Sequence, residues 1–332
     1  MRKRRAVISA VGMHVPDRVV TNRELAERVD TSDEWITERT GIRERRIVAN
    51  GQGNSDLSAE AARRCLSSSN WGPEDVDLII VSTVTPDMLF PSTACVLQEK
   101  IGAVNAWGFD LLGACSGFLF ALATGAQFVE TGAHRRVLVI GADVMTSIVD
   151  PLDRATCVLF GDGAGAVLLE AAEEAEDVGI LDFILKGDGT GGKYLYMPAG
   201  GSLKPASHET VDKRMHYVHQ DGRAVFKFAV TYMADVSLEI LRRNGFTTKD
   251  LRLFVPHQAN LRIIRSTADR LSLSEEQLAV NIDRYANTTA ATIPICLWEN
   301  QTQGKLNKGD LVLLTSFGAG FTWGSVLLRW GI

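Results

Sequence analysis

Apolar residues fall into short, nearly unbroken runs: V-I-S-A-V-G at 7–12, L-I-I-V-S at 78–82, V-L-V-I-G at 137–141, A-V-L-L at 166–169, L-R-L-F-V at 251–255 and L-V-L-L at 311–314. Runs of this length with little polar alternation are expected of strands covered on both faces. Between them lie longer segments in which charged and apolar residues mix at helical spacing, as in D-L-S-A-E-A-A-R-R-C-L at 56–66 and M-A-D-V-S-L-E-I-L-R-R at 233–243. Helix and strand alternate, which predicts an α/β protein with buried sheets.

The second half of the pattern echoes the first. Residues 56–83 read as helix, turn, acidic residues and strand, and residues 233–258 repeat that order, with Asp75 and Asp250 in matching places 175 positions apart. Further on, a helix opening at Cys115 and leading to V-L-V-I-G-A matches one opening near Asn287 and leading to L-V-L-L-T-S-F, an offset of 172. We read this as an internal duplication with halves 1–175 and 176–332, joined in the acidic stretch 170–177. Two such halves bring the loops after equivalent strands to one seam.

Composition narrows the function. A chain of 332 residues, 45% hydrophobic, buries a large core. A net charge of -5 argues against general nucleic-acid affinity, which needs a basic face. Five cysteines, an odd number with no C-x-x-C pair, suggest neither a zinc site nor a disulfide framework, and a cytoplasmic location is expected. The opening M-R-K-R-R followed by apolar residues is similar to a signal peptide, but Gly12, His14 and Pro16 interrupt it, so residues 6–11 are expected to form a strand. No run reaches the roughly 18 apolar residues of a membrane span.

Three polar residues stand out at the seam. Cys115 lies in G-A-C-S-G-F, where a strand turns into a helix among small neighbours. That setting predicts an exposed thiol, and a helix N-terminus favours its thiolate over the reference pKa of about 8.5. Cys65, Cys95, Cys157 and Cys296 read as small hydrophobes. His257, in V-P-H-Q-A-N, follows a strand stopped by Pro256, with a helix expected from about Ala259; alone it reads as a satisfied loop histidine, as do His14, His134, His208, His216 and His219. Asn287, in R-Y-A-N-T-T-A-A, reads alone as a helix cap, and gains interest only from its place opposite Cys115. G-D-G-A-G-A at 161–166 precedes a strand, unlike a phosphate loop, whereas F-G-A-G-F at 317–321 is a turn whose N–H groups suit an oxyanion.

Together, T-S-D-E-W-I-T-E-R-T-G-I-R-E-R-R-I (31–47), G-A-C-S-G-F, D-P-L-D-R-A-T-C-V-L-F-G-D-G-A-G-A (150–166), P-H-Q-A-N-L-R-I-I (256–264), N-T-T-A-A-T-I-P (287–294) and G-A-G-F-T-W-G-S (318–325) resemble the β-ketoacyl-[acyl carrier protein] synthase III family over essentially the whole chain. The resemblance implies a thiolase-like fold of five αβαβα layers built from two duplicated halves, in a homodimer. It implies a catalytic Cys115, His257 and Asn287, with an oxyanion held by the backbone N–H groups of Cys115 and Ala319. An acyl-CoA would load Cys115, and malonyl-acyl carrier protein would then lose carbon dioxide and condense with the acyl group. Thr31, Trp35, Arg39, Arg154 and Asn260 match coenzyme A contacts, with Trp35 and Arg154 sandwiching the adenine. Phe90 matches a residue that closes the acyl pocket of the other subunit, and Lys227 and Arg262 match carrier-protein docking positions. The thioesters are substrates, and neither a resident cofactor nor a metal is implied. Arg223 departs from the family pattern beside the pantetheine arm.

Three alternatives remain open at this stage: a polyketide starter-unit synthase of the same fold, a thiol hydrolase using Cys, His and Asn, and a non-catalytic CoA-binding protein. Acyl preference is not legible.

Overall fold

The computed structural model describes residues 5–173 and 175–332, so most of the opening basic run lies outside the described residues. One sheet contains β1 (Ala6–His14), β2 (Leu78–Ser82), β3 (Trp107–Leu111), β4 (Val137–Val144) and β5 (Asp162–Ala171), in the order β1-β5-β4-β2-β3. The other contains β6 (Gly179–Gly187), β7 (Leu253–Pro256), β8 (Leu311–Gly318) and β9 (Thr322–Arg329), in the order β6-β9-β8-β7. The pairing senses repeat as well. β2 runs parallel to β4, as β7 does to β8, and the remaining two neighbours in each series are antiparallel. Where β3 pairs with β2, the second sheet has a single parallel bridge between Phe254 and Leu278.

The seven longest helices among the described residues complete the frame: α1 (Asp33–Thr40), α2 (Asn54–Ser67), α3 (Thr93–Ile101), α4 (Gly117–Glu130), α5 (Gly222–Arg243), α6 (Leu261–Leu271) and α7 (Thr292–Thr302). Helices α4 and α7 lie between the sheets, where Phe118, Leu122, Ile293 and Leu297 share one core with residues of both. Their apolar surfaces explain why G-F-L-F-A-L-A and T-I-P-I-C-L lack a charged stripe. Helices α2 and α3 cover the outer face of the first sheet, and α5 and α6 that of the second. The layers are therefore αβαβα. Alternation along a strand divides the cores: Leu78 and Ile80 face the middle helices, while Ile79 and Val81 face α2 and α3. Each such buried aliphatic side chain contributes about 1.5–3 kcal/mol.

The repeat has a local cause. Asp75 accepts from Gly72 N at 3.0 Å and Asp250 from Thr247 N at 2.7 Å, each capping the short turn before β2 or β7. These aspartates are 175 positions apart, and so are the first residues of α4 and α7, Gly117 and Thr292. The offset of 172 is thereby corrected: the counterpart of Cys115 is Ala290, and Asn287 precedes the matching turn.

Candidate active site

Cys115 sits in a single 3-10 turn, Ala114–Ser116, between β3 and α4. Ala114 has φ 46°, a left-handed conformation that costs a non-glycine residue roughly 1–2 kcal/mol, so packing must hold it. The second half supplies that packing. Ser316 Oγ donates to Cys115 O at 2.7 Å, and Ser116 Oγ donates to Thr322 O at 3.0 Å. A methyl group on Gly318 would lie 2.9 Å from Cys115 N and Cβ, so only glycine lets the end of β8 close on the turn. The small residues serve close approach, and Cys115 is buried, with 8% of its surface exposed, contrary to the exposed thiol expected from sequence.

His257 continues β7, its N–H donating to Thr315 O at 2.8 Å. The ring is buried. Nδ1 lies 2.7 Å from Thr292 Oγ1, and Nε2 has no partner among the described residues. Asn287 is fixed through its backbone, which donates to Leu159 O at 3.0 Å and accepts from Gly161 N at 3.2 Å. Its Oδ1 accepts from Thr289 N at 2.9 Å, which settles the orientation of the amide and makes its NH₂ the free edge.

All three residues line one cavity of about 560 Å³, together with Ala319, Trp35, Arg39 and Asn260. Met145, Phe160 and Phe317 add apolar wall. Burial governs the electrostatics. It pushes the Cys115 thiol up to about 12, with the Asp143 carboxylate adding in the same direction, and pushes His257 down to about 3. The resting pair is a thiol and a neutral imidazole, and desolvation outweighs the helix terminus expected to favour thiolate. Asp143, which sequence reasoning missed, is fully buried with its pKa raised to about 6 by desolvation. It accepts from Thr83 Oγ1 at 2.9 Å, Val84 N at 2.8 Å and Ala290 N at 3.2 Å, tying the turn beside Asn287 to the first half. Its only trace in the sequence is an acid at the end of an apolar strand.

A buried thiol and two hydrogen-bonding side chains at the wall of one cavity can support acyl transfer. Family models describing the 3-oxoacyl-[acyl-carrier-protein] synthase III and its C-terminal part match residues 109–189 and 241–330. The chain is 56% identical over 327 residues to the β-ketoacyl-[acyl-carrier-protein] synthase III of Koribacter versatilis, covering 98% of both chains. This chain belongs to the β-ketoacyl-[acyl-carrier-protein] synthase III family. It is thus an initiating condensing enzyme of fatty-acid synthesis and an acyltransferase. The crystal structure of the synthase III from Aquifex aeolicus superposes with a TM-score of 0.90 at 42% identity, covering 98% of this chain and all 100% of that one. A priming β-ketosynthase of a polyketide pathway superposes with a TM-score of 0.91 at 35% identity, covering 100% of this chain and 98% of its own. The thiolase-like architecture agrees with these synthase III neighbours.

Of the remaining positions matched to the family, Trp35, Arg39 and Asn260 line the cavity, and Thr31, Arg154, Lys227, Arg262 and Phe90 do not. Arg39 and Arg154 hold their guanidinium carbons 4.7 Å and 5.2 Å from the centre of the Trp35 ring. Arg154 also donates to Asp30 O at 2.8 Å. At that separation no base fits between Trp35 and Arg154, so a sandwich requires Arg154 to move outward. Thr31 has a buried hydroxyl oxygen with no partner among the described residues. Asn260 caps α6 and donates to Arg39 O at 3.1 Å, binding two elements of the cavity wall together. Lys227 and Arg262 are exposed, and Arg262 lies over Phe226, a wall residue of the cavity. Arg223 is exposed at the start of α5. Phe90 is 84% exposed and does not line the cavity of its own chain.

Proposed function

We propose that this enzyme loads an acyl group from acyl-CoA onto Cys115 and condenses it with malonyl-acyl carrier protein. The thiol sulfur adds to the thioester carbonyl, the backbone N–H groups of Cys115 and Ala319 stabilise the oxyanion, and the thiol proton leaves on the coenzyme A sulfur. Malonyl thioester then replaces coenzyme A. Its carboxylate departs as carbon dioxide, the electron pair remains as an enolate, and His257 Nε2 and Asn287 Nδ2 donate to the enolate oxygen. The enolate carbon attacks the acyl group and expels Cys115 as a thiolate, which takes a proton from solvent, leaving a β-ketoacyl-carrier protein. Neutral donors suit this step, because they hold negative charge without protonating the carbanion. The chemistry requires no resident cofactor.

The observation that carries this reading is the convergence of Cys115, His257 and Asn287 on one cavity, with the donor edge of Asn287 fixed and His257 Nε2 unpartnered. Trp35, Arg39, Arg154, Thr31 and Asn260 would take the nucleotide and pantetheine. Lys227 and Arg262 would meet the acidic carrier protein. We assign the enzyme to the cytoplasm, and among the described residues no helix is long and apolar enough to cross a membrane. A second copy of the chain is proposed against the open edge of β3, beside Leu89, Phe90 and Leu112, which are 86%, 84% and 81% exposed. Sedimentation of a monomer at micromolar concentration would reject that dimer.

Labelled acyl-CoA should leave a stable label on Cys115, and added malonyl-carrier protein should convert it to β-ketoacyl product. Hydrolysis without condensation, or binding without an acyl-enzyme, overturns the reading. Comparing acyl primers in the same assay defines the starter unit.

A further inference from the structure

The two nitrogens of His257 have different neighbours, and the ring is 1% exposed. Burial keeps the imidazole neutral, with a pKa pushed down to about 3, so the ring carries one proton. The nitrogen that carries it donates and the other accepts. The role of the Thr292 hydroxyl beside Nδ1 and the tautomer of the ring are therefore one question.

That hydroxyl has one proton and two candidate acceptors within reach: His257 Nδ1 at 2.7 Å, if the ring proton is on Nε2, and Thr289 O at 3.1 Å. The Thr289 carbonyl already accepts the backbone N–H of Thr292. For Nδ1, Thr292 is the one partner found among the described residues. Thr289 O is the farther of the two and is already satisfied, so the hydroxyl proton is assigned to the nearer ring nitrogen, which then accepts. The ring proton then sits on Nε2, at the cavity. The same turn fixes the second side chain, since Thr289 N donates to Asn287 Oδ1 at 2.9 Å and leaves the NH₂ edge free.

We propose that Thr292 is a positioning residue that holds His257 in the Nε2–H tautomer, so that the ring enters the reaction as a hydrogen-bond donor and not as a base. This rests on the assignment of His257 as an enolate donor. Thr292 is not among the residues that line the cavity; it acts through His257. One short turn thereby sets the donor sense of both side chains.

The test is nitrogen-15 NMR of the full-length protein labelled at histidine, with the His257 ring signals identified by their loss in His257→Ala. The parent should show a protonated Nε2 and a bare Nδ1. Thr292→Val keeps the side-chain shape and removes the hydroxyl. It should let the Nδ1–H form appear beside Nε2–H and lower the condensation rate with it, by up to about 100-fold, the loss typical of one missing donor. Acylation should fall less, and Thr292→Ser should restore both ring state and rate. A Thr292→Val ring still protonated at Nε2, with condensation near the parent rate, overturns the role of Thr292 and leaves His257 as donor. A parent ring protonated at Nδ1 overturns the donor assignment itself, and the role of Thr292 with it. If the valine variant does not fold, Thr292→Ala supplies the same comparison and the parent spectrum still decides.

Discussion

At the end of β2, Ser82 meets Gly117, the first residue of α4; at the end of β7, His257 meets Thr292, the first residue of α7. These contacts occupy the same place in two copies of one strand–turn–helix unit, and the turns agree even in backbone strain, with Ala114 at φ 46° and Thr289 at φ 53°. The side chains differ. In the first half, glycine lets the helix start press against a serine, and the turn holds Cys115. In the second half, a larger polar pair fills that contact, and the matching turn holds Ala290. Under the proposed function, one copy seats the nucleophile and the other orients the donors. A duplicated frame gives two turns of like backbone, and divergence at a few positions would let them face one thioester with different chemistry.

The largest test of this division separates the two half-reactions. Cys115→Ala should remove acyl-enzyme formation, a loss of at least about 10⁴-fold. Asn287→Ala and His257→Ala should lower condensation about 10²–10³-fold each while acylation persists at a much higher fraction. The His257 variant should show the greater defect in carbon dioxide release from malonyl-carrier protein. Equal loss of both steps in the Asn287 variant would mean that the halves do not divide the work.

A smaller effect tests the contact at the first-half turn. A methyl group on Gly117 would lie 2.1 Å from Ser82 Oγ but 3.5 Å from Ser82 Cβ. Gly117→Ala should therefore destabilise the protein by about 1–3 kcal/mol through overpacking. Ser82→Ala removes a buried hydroxyl that has no partner among the described residues, and alone should be nearly neutral. Combined with Gly117→Ala it should recover most of the loss, a coupling measured by urea unfolding of the four proteins. Additive effects would show that the clash lies elsewhere.

Legibility in the sequence follows the range of the contacts involved. Strand runs, helical segments and the paired aspartates are local patterns, and they carried the layers and the repeat. Cys115, His257, Asn287 and Ala319 were placed by motifs, and they line one cavity. The burial of Cys115 was not legible, because its cover comes from Gly318 and Ser316, some 200 positions away. Separation along the chain also hid Asp143, whose partners lie on the segment 83–85, some 60 positions before it, and at Ala290, 147 positions after it. A repeat offset read from Cys115 and Asn287 missed the true register by three residues, because the chemistry of a residue does not mark its place in a turn.

The smallest effect compares the buried titratable groups that the two halves bring to the site. His257 has a folded pKa of about 3 against 6.5 for the free side chain, so between those values the unfolded chain binds more protons. Stability from this residue is complete above the higher value and is lost as pH falls through the window. Asp143 has the opposite sign, since its folded pKa of about 6 exceeds 3.8, and its contribution weakens as pH rises between those values. Each slope is at most about 1.4 kcal/mol per pH unit, and in the shared window the two oppose each other. Relative to the parent, His257→Gln should therefore gain stability on acidification from 6 toward 3.8, the window in which the Asp143 contribution remains. Asp143→Asn should lose stability over the same range, whatever its starting level. Urea midpoints measured across that range give both differences directly. Curves parallel to the parent in both variants would show that neither group carries the shift that burial predicts.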